Sequence, residues 1–301
     1  MIGVSREFRT PLQQARGLRL EHERSFSLSK RSVALSTEKN ELRRSYLDSI
    51  GRVTLLAKML FKDLLRRRVT LLLLFIVPAL FDVLILVTTA DQDVPVVFGI
   101  LSDDIHIVNR RALAFVFLGV AAVGFLTSFL GFYLVFQRTE TDRRLVLCGY
   151  RPEEIIISKL VVLTIIVAAI AVYEAAIILP FFEPQHIELM LLGLFLGGLI
   201  YGCYGLFIGS ISIHELEGIF LIVLLANIDV GWLQNPSYFK DSANRTVIES
   251  LPGFLPTQLA SLGAFTHEFS FEALAGSLLY ASTFLLVAMF AFWIRVRIRR
   301  K

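Results

Sequence analysis

The stretch QRTETDRRLVLCGYRPEEIIISK, residues 137–159, is a dense run of charge between two long apolar segments. Arg138, Glu140, Asp142, Arg143, Arg144, Arg151, Glu153, Glu154 and Lys159 carry both signs around an apolar centre, LVLCGY. Gly149 breaks the run, and Pro152 is suited to the first turn of a following helix. The pattern predicts a short amphipathic helix, a turn, then a long apolar helix. Membrane topology alone asks only for positive charge at such a place. The added acids point to a surface that meets another protein.

Outward from this stretch, the chain is a membrane sequence. Of its 301 residues, 55% are hydrophobic and 19% charged, against about 45–50% and about 25% for soluble domains. A spanning helix needs about 20 apolar residues to cross about 30 Å of hydrocarbon. Six segments qualify: 69–90, 112–137, 156–181, 188–212, 216–234 and 272–294. Of 30 Lys and Arg, 16 lie in residues 1–68, 5 in 138–159 and 5 in 295–301. The 182–187 turn, FEPQHI, has none. The positive-inside rule then puts both termini and the 138–155 loop in the cytosol. Arg110 and Arg111, at the outer start of span two, are read as snorkelling interfacial residues.

Residues 1–49 are polar, lack the apolar core of a signal peptide, and read as a flexible cytosolic tail. In residues 50–68, Val53, Leu56, Leu60 and Leu64 recur at helical spacing among Arg52, Lys58, Lys62, Arg66 and Arg67. That is an amphipathic helix lying in the interface ahead of span one. Residues 235–271 keep apolar spacing despite prolines, as short helices dipping into the outer leaflet would. They include a glycosylation acceptor pattern at Asn244. Residues 298–301 close the chain as a basic cytosolic end.

The sequence holds no phosphate-cradling GxxxxGK[ST], no HExxH, no GxSxG and no His/Cys cluster at metal spacing. Cys148 and Cys203 make no disulfide framework. No catalytic residue, metal site or nucleic-acid surface is expected. Glu153–Glu154 could serve a hydrolase only with partner groups that the spans lack. Span four carries Gly198, Gly202, Gly205 and Gly209 on one seam, a packing face within the chain or against a partner. Asp82, Glu174 and Asp229 lie inside spans, where an acid costs about 2.5–3.5 kcal/mol and normally faces a pathway or a polar partner.

In order and character, residues 50–297 resemble the membrane subunits of type-2 ATP-binding-cassette (ABC) transporters, the exporter-type permeases. An elbow helix precedes span one, and a proline-containing outer segment, LPGFLPTQLASL, lies between spans five and six. The loop between spans two and three has the form L-x-x-x-G-x-x-x-x-E-I-I-x-x-K, here Leu145, Gly149, Glu154, Ile155, Ile156 and Lys159. Where the family more often has E-R-E-x-G-T, this chain has RTETDRR.

The resemblance implies an all-α membrane protein of six transmembrane helices, with an elbow helix, a cytosolic coupling helix and an outer re-entrant segment. It also implies a permease subunit driven by a separate ABC ATPase, present in two copies, which binds the ATP and Mg. A second permease subunit, identical or homologous, would complete the translocation path in the cell membrane. The residues expected at the ATPase contact are Arg143, Arg144, Leu147, Gly149, Arg151, Glu153, Glu154 and Lys159. Asp82, Glu174 and Asp229 are the expected path residues. The alternative is a secondary transporter or channel that needs no ATPase.

Overall fold

The computed structural model describes residues 48–98, 105–234 and 245–298. The tail up to residue 47, Asn244 with the start of the outer segment, and residues 299–301 lie outside the described residues.

The first helix, α1, runs over residues 48–66. Leu56, Leu60 and Leu64 are buried as the spacing predicts, in the same apolar core as Leu134, Val135, Ile155 and Ile156. Six further helices are long and apolar enough to cross a membrane, which gives the chain the architecture of a helical membrane protein. These are α2 (Arg68–Thr88), α3 (Arg110–Phe136), α5 (Pro152–Ile178), α6 (Ile187–Ile211), α7 (Glu215–Ala226, continued by a π-helical turn, Asn227–Leu233) and α10 (Phe271–Ile298). Their ends fall within a few residues of the six predicted spans. Between them stand α4 (Thr139–Leu147), α8 (Arg245–Glu249) and α9 (Phe254–Phe265).

At the centre is α6, packed on α3, α5, α9 and α10. Its glycines make that possible. A Cβ at Gly205 would lie 1.9 Å from the Ser128 carbonyl oxygen of α3, so only a bare Cα lets the two backbones meet. Gly198 sits between Val123 of α3 and Val167 of α5, Gly202 faces Leu163 of α5, and Gly209 faces Phe132 of α3. All four predicted packing glycines therefore act inside the chain. Thr127 adds an interhelical hydrogen bond, donating to the Gly198 carbonyl at 2.8 Å. Close van der Waals contact plus such bonds is how helices associate where water supplies no hydrophobic drive. Most of α3 and α6 is buried by this packing, whereas α2, α7 and α10 leave most of their apolar surface outward.

One element departs from an all-α chain. Asp93–Val97 (β1) and Ile105–Asn109 (β2) form an antiparallel hairpin, with Asp93 opposite Asn109 and Val97 opposite Ile105. Val96, Phe98 and Val108 pack on Leu113 of α3 and Leu262 of α9. The segment 235–271 is thus not the one long excursion at that end of the bundle. Arg111, at the start of span two, has specific partners at this end of the bundle. Arg111 pairs with Asp91 at 3.2 Å and donates to the Thr89 carbonyl at 3.3 Å, closing the end of α2. Asn109 caps α3, its side-chain oxygen accepting from the Arg111 and Ala112 amides, an interaction worth about 1 kcal/mol.

Candidate functional site: the α4 turn and the buried acids

α4 begins two residues after α3 ends and stops at Gly149, whose φ of +93° lies in the left-handed region. Gly149 donates to the Val146 carbonyl and Tyr150 to the Leu145 carbonyl, both at 3.1 Å. That pair of bonds is a Schellman stop, which only glycine enters without strain. Pro152 then opens α5, and Glu154 reaches back to accept from the Arg151 amide at 3.1 Å. The chain turns sharply here because both helix ends are closed by their own residues.

The turn is fixed to the bundle at two points. Lys159 of α5 is fully buried and ion-paired with Asp142 of α4, also buried, with its ammonium 5.1 Å from the centre of the Phe292 ring of α10. Burial pushes the Asp142 carboxyl up, against the pull of Lys159 and, more weakly, of Arg138 and Arg295. Arg138 pairs with Asp63 of α1. Asp63 also lies 3.5 Å from Arg67, which sits over the Tyr133 ring. Through these contacts α1, α4 and α5 form one joint. Arg295 stands beside it, donating to the Gly209 and Ser210 carbonyls at the end of α6.

Two of the residues expected to contact an ATPase are therefore inside the protein. Lys159 is used by Asp142, because a buried ammonium needs a charged partner. Glu154 is used in closing α5. The others stay at the surface: Arg144, Leu147, Gly149, Arg151 and Glu153 are exposed, and Arg143 is half-buried against Glu140 at 2.9 Å. Leu147 is 78% exposed at the tip of a charged helix. Asp142, Asp63 and Arg138 went unassigned in the sequence.

The three intramembrane acids separate into two kinds. Asp229, in the π-helical turn, accepts from the Tyr201 hydroxyl, the Gln234 amide at 2.8 Å and the Gly253 backbone at 3.0 Å. It is a knot tying α6, the π-helical turn and the start of α9. Asp82 on α2 and Glu174 on α5 are each at least 97% buried, and neither carboxyl has a hydrogen-bond partner. Glu174 Oε1 lies 3.1 Å from where a side chain would begin at Gly119 of α3.

A further apolar cavity of about 380 Å³ opens between α2, α3 and α7, lined by Leu73, Val77, Phe125, Phe129, Tyr133 and Ile219 among others. Among the described residues no cluster of His, Cys, Asp and Glu could hold a metal ion. No protein-family model matches the sequence, and no curated protein is similar to it.

Proposed function

We propose that the chain is a membrane permease subunit moved by a separate ATPase, an exporter of the kind its sequence resembles. The observation that carries the reading is the α4 joint. A short helix with an exposed mixed-charge face and a projecting Leu147 is fastened to α5 by a buried ion pair and to α1 by Arg138–Asp63. A force applied to α4 would reach two membrane-associated helices without being lost in a flexible loop. The absence of a phosphate-binding loop from the sequence suits a chain whose motor is another subunit. The cavity between α2, α3 and α7 would admit an apolar or amphipathic substrate. The outward apolar surface of α2, α7 and α10 would face lipid and a second permease copy.

In this reading α4 and both termini are cytosolic, two ATPase subunits dock on the α4 turns of a permease pair, and ATP with Mg binds there. The test is capture of partners by the tagged, detergent-solubilised protein from its native cells, with an ATP-hydrolysis assay. The expected result is a co-purifying ATPase that is lost in Arg144→Glu/Glu153→Lys while the spans stay folded. ATPase capture unchanged by that variant would refute the α4 contact. A pure protein with no ATPase would favour a transporter that needs none.

A further inference from the structure

We propose that the outward face of α1 is a docking surface for the headgroups of anionic phospholipids, in the leaflet on the side of the α4 turn. It rests on the chain being a membrane protein and stands whether or not an ATPase drives it.

α1 spends its regular apolar stripe on the protein itself. Leu56, Leu60 and Leu64 are buried in the same core as Leu134, Val135, Ile155 and Ile156. A basic amphipathic helix on a membrane usually lays that stripe into lipid, and here it is already occupied. What remains outward is a second surface of mixed character. Leu55, Met59 and Leu65 are each about half exposed. Lys58, Lys62 and Arg66 are exposed among them, and Arg68 continues the series at the start of α2.

The charge of this surface is unbalanced. Lys58, Lys62 and Arg66 follow one another at intervals of four and so stack on one stripe, where like charges weaken a helix. Asp63, the acid that lies among them in sequence, is taken by Arg138 and Arg67. Among the described residues, Lys58, Lys62 and Arg66 have no ion pair. A stripe of like charge gains nothing for the helix by itself, and an anion laid over it removes the repulsion.

The position of α1 selects the anion. α2 begins at Arg68, two residues after α1 ends, and is long and apolar enough to cross a membrane. The outward side chains of α1 therefore lie where headgroups meet hydrocarbon. Bulk water would leave three large apolar side chains wet, and the hydrocarbon would strip three cations of solvent. Headgroup phosphates above acyl chains satisfy both sets, the long basic side chains reaching outward while their stems lie on apolar surface. A zwitterionic headgroup carries its own cation, which offsets its phosphate, so a net-anionic lipid fits this face better.

The test is native mass spectrometry of the full-length protein, titrated in detergent with phosphatidylglycerol or with phosphatidylcholine of the same acyl chains. We expect tighter binding of the first phosphatidylglycerol, weakened by raised ammonium acetate. In Lys58→Gln/Lys62→Gln/Arg66→Gln it should weaken on the order of 100-fold, since each cation near an anionic surface contributes about fivefold. Equal binding of the two lipids, or a preference that the triple variant retains, overturns the proposal. Full competition by inorganic phosphate would make the ligand a free anion, and full competition by polyglutamate would make it an acidic protein; either overturns the proposal as well. If the variant fails to fold, the wild-type protein in liposomes is given phosphatidylglycerol with a photoreactive headgroup. Adducts on residues 55–69 that plain phosphatidylglycerol displaces and phosphatidylcholine does not support the surface, and adducts confined to other helices refute it.

Discussion

Two of the ionisable side chains that α5 buries, Lys159 and Glu174, are treated oppositely. Lys159 meets an acid from α4 and the face of an aromatic ring from α10. Glu174 is as deeply buried, and its carboxyl has no hydrogen-bond partner among the described residues. The first arrangement is closed: each charge answers the other, and the helices that bring them are locked. The second is open, since nothing among the described residues answers the carboxyl. A buried ionisable group thus marks a rigid joint where the protein supplies its partner, and an unanswered one where it does not.

Breaking the closed arrangement should give the largest effect. Asp142→Ala leaves the buried Lys159 without its acid, and still beside the positive charges of Arg138 and Arg295. We expect a loss of about 3–5 kcal/mol, the usual result of removing one member of a buried pair. Replacing both members, as Asp142→Leu/Lys159→Met, should recover most of it. Thermal unfolding in detergent reads both, and a double variant no better than the single one would show that the pair is not the joint. Next is Gly205→Ala, which drives a methyl into the Ser128 carbonyl. It should cost about 3 kcal/mol, near the top of the range for overpacking. Tyr201→Phe removes one of the three donors to Asp229 and should cost about 1–2 kcal/mol, with faster amide exchange in Asn227–Leu233. The smallest effect belongs to the open one. Glu174→Gln removes no charge partner, so its unfolding free energy at neutral pH should stay within about 0.5 kcal/mol of wild type. A loss as large as that of Asp142→Ala would erase the contrast between the two.

Much of this fold could be read from the chain before any coordinates. The hydrocarbon thickness sets the length of an apolar run, so the six long helices announce themselves. Gly149 and Pro152 are local signals, and the turn between α4 and α5 is built from them. The hairpin escaped because five-residue strands broken by Pro95 and ended by Asn109 carry little periodicity, and what holds them is Leu113 and Leu262 elsewhere. The glycine seam of α6 was visible, but its neighbours were not, since small residues serve an internal or an external interface equally well. The buried acids were located, yet what each one meets depended on residues far along the chain: Tyr201 and Gly253 for Asp229, Gly119 for Glu174. Lys159 and Glu154 looked like surface charge because sequence does not show which side of a short loop folds inward.

The stop after α4 carries one more consequence. Cys148, the residue before Gly149, is exposed, whereas the chain's other thiol, Cys203, is buried in α6. The unaltered protein therefore already holds a single addressable probe position. A maleimide dye that does not cross lipid should stain intact cells only after they are opened, reporting which face the α4 turn occupies. The same fluorophore would then follow the tip of that turn through a transport cycle.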